Sequence, residues 1–210
     1  MSPARATQRF LLSTLVATSV LVTGCQHAGH QSSARTLDAH QSRFSVAVGA
    51  GSVIDGDVIM PLVPAAQARL HHGLSDHVEV GLSGGTDGLT VLTKLALVRS
   101  PSAASGWNVA LEPSIGAGPS AGNVVGSARL PLLIGYRFGG HEITVGPRVH
   151  WTQTLAATWP PSGLLAGGTL GARIRAGAHF VISPEIGWLQ PLFAKDLWPI
   201  PIANLGFSWE

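Results

Sequence analysis

From Arg43 to Trp209 the chain alternates apolar and polar residues with period two, and this constrains its fold more than any other feature. Ten segments carry the alternation, at about 43–53, 62–72, 77–85, 89–99, 107–117, 124–138, 141–155, 163–176, 179–190 and 199–209. In an extended backbone successive side chains fall on opposite faces, so each segment has two faces of different character. One face is apolar, with Phe44, Val46 and Val48 in the first segment, Val80 and Leu82 in the third, and Leu130, Leu132 and Ile134 in the sixth. The same face continues through Ile143, Val145, Val149 and Trp151, and through Ile182, Ile186 and Trp188. The opposite face carries the charges and many of the glycines, including those at 49, 81, 116, 135, 146, 171, 187 and 206.

Charged residues make up 11% of the chain, against roughly 25% in ordinary soluble domains, and the mean hydropathy is +0.30. Beyond residue 24 no run of about 18 apolar residues occurs, which excludes a helical membrane protein. Low charge without long apolar runs points to an all-β chain, an antiparallel up-and-down transmembrane β-barrel over residues 43–210, of about ten strands with eight as the alternative. Glycine on the polar face suits a crowded interior, so the apolar face is expected to meet lipid. Short turns at Gly73-Leu74-Ser75-Asp76, Gly139-Gly140 and Gly177-Ala178, with a longer link over 100–106, fall at one end of the barrel. An even strand number places both barrel termini at that end. Aromatics such as Phe44, Trp107, Tyr136, Phe207 and Trp209 gather there, and Trp151, Trp159, Trp188, Phe193 and Trp198 gather at the other, as two interfacial girdles would.

The first residues read differently. Arg5 and Arg9 precede an apolar run from Phe10 to Val22, and Val22-Thr23-Gly24-Cys25 follows directly. This arrangement resembles a secretory signal ending in the lipobox of bacterial lipoproteins, which implies cleavage after residue 24 and a diacylated Cys25. It is the chain's single cysteine, so an intrachain disulfide is excluded. Residues 25–42, polar and aperiodic, are expected to form a flexible tether. Once residues 1–24 are removed, basic and acidic side chains are equal in number, so the basic isoelectric point carries no implication of nucleic-acid binding. The final strand, Pro201 to Trp209, resembles the C-terminal signal of outer-membrane barrels; that pattern usually ends on the aromatic, whereas here Glu210 follows. Residues 43–209 as a whole resemble small outer-membrane β-barrels as a class. The resemblance implies outer-membrane lipid and the barrel-assembly and lipoprotein-processing machinery as partners, with the tether and C-terminus in the periplasm.

The polar face would place Arg69, Lys94, Arg129, Arg137, Arg148, Arg173 and Arg175 in the lumen with Glu79, Glu112 and Glu185. Two readings follow: an ion-pair network that fills the barrel, or a narrow anion-favouring passage. Histidines 27, 30, 71 and 72 are weak metal candidates, since no CxxC or HExxH pattern accompanies them; solvated histidines at the rim are the alternative. His150, Thr152 and Asp87 are the residues nearest a catalytic zone, but no serine and base stand together, so neither an enzyme nor a cofactor is expected. Pro113, Pro147 and Pro184 recur at similar positions on the apolar face, where bulges would accommodate the missing donors, while Pro131 and Pro201 have no such account. The function expected is a lipid-anchored outer-membrane barrel with a structural, interaction or limited permeability role. A soluble, lipid-tethered, lipocalin-like barrel holding a small apolar ligand is the alternative; it would have Val48, Leu82, Leu132 and Ile186 inside and Arg129, Arg173 and Glu185 in water.

Overall fold

The computed structural model describes residues 32–55, 58–120, 123–154, 163–192 and 199–209. Their strands are β1 (Ser42–Asp55), β2 (Val58–Ser75), β3 (Val78–Gly85), β4 (Gly88–Val98), β5 (Gly106–Leu111), β6 (Ser114–Ser120), β7 (Asn123–Phe138), β8 (His141–Thr154), β9 (Gly163–Arg175), β10 (Phe180–Pro191) and β11 (Ile200–Trp209). All neighbours pair antiparallel, and β1 pairs with β11 from Phe44↔Trp209 to Gly51↔Ile202, which closes the sheet into a barrel.

β5 and β6 are two halves of one crossing. Leu95 pairs with Leu111 and Leu92 with Ser114, the same register on either side of Glu112-Pro113, so the wall has ten strands. Glu112 N still donates to Pro131 O at 3.1 Å and Thr93 N to Pro113 O at 3.0 Å; Pro113, lacking an N–H, cannot return the second bond.

This corrects the expectation of bulges at the prolines. Across Pro147 the β8–β9 register is unbroken from Glu142↔Arg173 to Thr152↔Gly163. Across Pro184 the β10–β11 register is unbroken as well, while the β9–β10 ladder lapses between Ile182↔Ile174 and Glu185↔Gly171 and resumes at the same offset. Each proline thus removes a donor without adding a residue. Register shifts fall elsewhere, between Gly51 and Val53, Gly73 and Ser75, and Ala96 and Val98.

The two-residue turn Gly139-Gly140 joins β7 to β8, with φ of 56° and 86°, a conformation that glycine adopts without Cβ strain and that matches the twist of a hairpin. This turn, the 76–77 turn and the 99–105 and 176–179 links mark the near mouth, where β1 begins and β11 ends. An aromatic chain follows its outer edge: Trp107 to Tyr136 at 5.1 Å, Tyr136 to Phe138 at 6.4 Å, Phe180 to Trp209 at 5.5 Å and Trp209 to Phe44 at 6.2 Å. Trp159, Phe193 and Trp198 of the other girdle lie outside the described residues.

The polarity is the inverse of a soluble barrel. Ile115, Leu89, Ile186 and Trp107 are 61–68% exposed on the outer face, while Glu79, Lys94, Asn108, Glu112 and His150 are fully enclosed. The lipocalin-like alternative fails its own requirement here, because Val48 and Leu82 are exposed and Arg173 and Glu185 buried. The lumen is not uniformly polar: Leu165, Leu189, Ile200 and Ile202 form an apolar cluster toward the far mouth.

The segment expected to be a free tether is the largest departure from the sequence reading. Residues 32–37 are all buried inside the barrel, descending from mid-lumen at Ser32 to the near mouth. There His40 N donates to Gly73 O at 2.8 Å and Gly73 N to Gln41 O at 2.9 Å, so the segment is stitched to β2 before β1 begins. Residues 25–31 lie outside the described residues.

Candidate functional site

The barrel interior is organised around three carboxylates, each held by wall residues and each receiving a donor from the buried N-terminal segment. Glu79 of β3 faces inward by the same parity as Gly81 and Ser83. Its Oε1 is 3.2 Å from Lys94 Nζ, 3.3 Å from Arg43 Nη2 and 2.6 Å from His71 Nδ1. Its Oε2 accepts from Leu37 N at 2.8 Å. Glu112, at the break between β5 and β6, is bridged to Glu79 through Lys94, whose Nζ is 3.1 Å from Glu112 Oε2; Glu112 Oε1 accepts from Ser32 Oγ at 3.1 Å. Glu142, the second residue of β8, accepts from Ser33 Oγ at 2.6 Å and from Ala34 N at 2.7 Å, and Thr144 Oγ1 and Arg137 Nε approach it from the wall at 3.1 and 3.8 Å.

Such hydrogen bonds are charge-assisted and about twice as strong as neutral ones. They also resolve two problems together: a buried carboxylate needs its lone pairs filled, and a buried irregular backbone needs acceptors for its N–H groups. Two glycines make room for the segment. A Cβ on Gly135 would stand 2.8 Å from Ala34 Cβ and 2.6 Å from Glu142 Oε1, and one on Gly73 would stand 3.2 Å from Leu37 Cβ and collide with Asp38 O. At the near mouth Arg35 Nη1 donates to Ser100 O at 2.7 Å, Thr36 Oγ1 donates to Asp76 O at 2.6 Å, and Arg99 pairs with both Asp38 and Asp76. Residues 32–38 are therefore a plug, bonded along their length.

A second group of charges lies toward the far mouth. Arg129 Nη2 is 3.6 Å from Asp87 Oδ2, and Arg69 Nε donates to Gln67 Oε1 at 2.7 Å. Arg148 and Glu185 are buried on inward faces, as the alternation predicts, and so is Arg173, which lies by the near mouth opposite Glu142. Arg137 sits half-buried above Glu142. Arg175 differs from its expected lumenal place: it is the last residue of β9 and exposed at the near rim, where its N–H meets His141 Nδ1 at 3.3 Å.

The histidine readings divide. His72 is at the rim, with its Nδ1 2.9 Å from Ser42 Oγ. His71 is not a solvated rim residue; it has the inward parity of Arg69 and is closed onto Glu79. His27 and His30 lie outside the described residues, among which no group of three or more His, Cys, Asp or Glu is placed to hold a metal ion. The residues nearest a catalytic zone are occupied otherwise: Asp87 by Arg129, Thr152 by Gly163 O at 3.5 Å, while His150 is enclosed and without solvent access.

Sequence reasoning missed Arg43, Asp87 and Glu142 as members of the network. Parity was the available signal. Arg43 is two residues from inward Ser45, and Glu142 two residues from inward Thr144; both stand at strand starts, where a turn residue and a lumenal residue look alike. Asp87 lies in a turn and has no parity to read.

No protein-family model and no curated protein matches the sequence. Among solved structures, the chain is similar to the outer membrane protease OmpT from Escherichia coli, with a TM-score of 0.47 and 9% identity over 84% of this chain and 99% of that one. It is similar also to the translocator domain of autotransporter NalP from Neisseria meningitidis, with a TM-score of 0.39 and 9% identity over 99% of this chain and 96% of that one. A third is Ail, the attachment invasion locus protein of Yersinia pestis, with a TM-score of 0.33 and 10% identity over 81% and 98%. None of these likenesses assigns a function to this chain.

Proposed function

We propose that this protein is an outer-membrane β-barrel, anchored additionally by a lipid on Cys25, whose own N-terminal segment closes the lumen from the periplasmic side. Its role is then structural or interactive, with at most limited permeability, rather than that of an open pore. The observation that carries the reading is the inverted polarity. Among the described residues twenty-seven large apolar side chains are exposed, most of them on the outer face, and covering their exposed area with an apolar medium is worth about 25 cal/mol per Å², which a bilayer supplies and water does not. The lumen supports the closed form, since Ser32, Ser33, Ala34 and Leu37 occupy acceptors on Glu112, Glu142 and Glu79 that a through-passage would leave to water.

Replacing Cys25 with Ser tests the two anchors separately. The barrel reading expects the variant to stay in the outer-membrane fraction after carbonate washing and to migrate faster on a gel when unheated than when boiled. Release into the wash, with no heat-dependent mobility, would mean that the lipid alone holds the protein.

A further inference from the structure

The near mouth holds a cavity of about 710 Å³, within the range of small-molecule sites. Its described lining carries a cluster of arginines drawn from four places in the chain, Arg35 of the plug, Arg43 of β1, Arg137 of β7, and Arg173 and Arg175 of β9, with His179 after it. Asp38 is the one carboxylate among the described lining residues, engaged by Arg35 and Arg99, while Arg43 and Arg137 also reach Glu79 and Glu142 of the wall at 3.3 and 3.8 Å. Small residues, Ala103, Ala104, Gly139, Gly140 and Ala178, form much of the remaining rim and leave the entrance open.

The guanidinium groups come from the plug and from three strands of the wall, β1, β7 and β9, so they reach the cavity from several elements instead of from one strand. A planar carboxylate accepts one fork in its plane. A tetrahedral phosphate accepts from several directions at once and carries more charge to balance a crowd of cations. The crowding shows on Arg35 itself: burial, with the nearby Arg99 and Arg137 charges, holds its guanidinium below the ordinary arginine range despite Asp38. A bound anion would relieve that repulsion.

We propose that this cavity is a binding site for phosphate groups, either on a small soluble phosphate compound or on the headgroup of an anionic phospholipid at the barrel mouth. The ligand's periplasmic source rests on the membrane orientation proposed above; binding itself does not, so the two can fail separately.

The test uses the full chain in nanodiscs made of phosphatidylcholine alone or of phosphatidylcholine with phosphatidylglycerol, titrated with inorganic pyrophosphate by calorimetry at constant ionic strength. In neutral discs one equivalent is expected to bind, and Arg35→Ala and Arg175→Ala are each expected to weaken it about tenfold, the loss of one charge-assisted contact. Arg175 is exposed at a strand end, so that variant folds even if the plug variant does not. If phosphatidylglycerol suppresses pyrophosphate binding, the site takes the lipid headgroup; if affinity is the same in both discs, it takes the soluble compound. Absence of binding in neutral discs, or binding that neither substitution weakens, would overturn the proposal.

Discussion

Ser33 Oγ lies 2.6 Å from Glu142 Oε2, a bond between residues 109 positions apart that ties the N-terminal segment to the barrel wall. The adjacent amide of Ala34 donates to the other oxygen of the same carboxylate at 2.7 Å, so one side chain of β8 holds two consecutive residues of the plug. Glu142→Ala removes both acceptors at once. Each hydrogen bond to a charged group is worth about 1.5–3 kcal/mol, so the amide of Ala34 should exchange with solvent at least tenfold faster. Leu37, whose amide is held by Glu79, should keep its protection. Equal deprotection of both amides would show that the plug moves as one body and not anchor by anchor.

Lys94 is fully enclosed and lies between Glu79 and Glu112 at 3.2 and 3.1 Å. Lys94→Met keeps most of the side-chain volume but leaves two buried carboxylates with one fewer counter-charge. Breaking a buried pair this way costs about 3–5 kcal/mol. The refolded variant should unfold at correspondingly lower urea concentration, and an unchanged midpoint would show that Arg43 and His71 suffice for Glu79.

Gly135 has room for no Cβ beside Ala34 and Glu142. Gly135→Val should therefore displace the plug while leaving the outer face of β7 untouched. In a Cys25→Ser background, a reporter substitution Ser33→Cys should react slowly with a water-soluble maleimide in the parent barrel and at least tenfold faster alongside Gly135→Val. Equal rates would mean that the wall yields instead of the plug.

Pro113 accepts from Thr93 but donates nothing back, with the register intact on both sides. Pro113→Val should close the missing bond and gain about 1 kcal/mol, offset in part by the extra freedom of the unfolded chain. Urea unfolding in detergent measures the balance. Destabilisation by more than about 1 kcal/mol would mean that the proline ring itself is needed at the junction of β5 and β6.

Much of the barrel was legible in the sequence because parity survives the breaks at Pro113, Pro147 and Pro184. Arg69, Glu79, Lys94, Glu112, Arg148, Arg173 and Glu185 all face inward where alternation places them. Read from the sequence, the prolines call for bulges, since a missing donor is usually met by a local change of register. Here the ladder simply goes without that bond, and the neighbouring pairs keep the register. Arg175 shows where parity stops informing: beyond the last rung of a strand the side chain is no longer constrained to either face.

The sequence by itself determined the strands and their two faces, and narrowed their number to ten or eight, because period two is a local property of an extended backbone and needs no knowledge of partners. Closure of the ring decided the rest. Lys94 joins Glu79 to Glu112 only when β3, β4 and the β5–β6 crossing lie side by side, and Glu142 meets Ser33 only when the chain before β1 turns into the lumen. Serines, threonines and bare amides are satisfied equally by water and by a buried carboxylate, so a polar stretch such as 32–38 reads as solvated until the tertiary structure supplies the carboxylates that bind it.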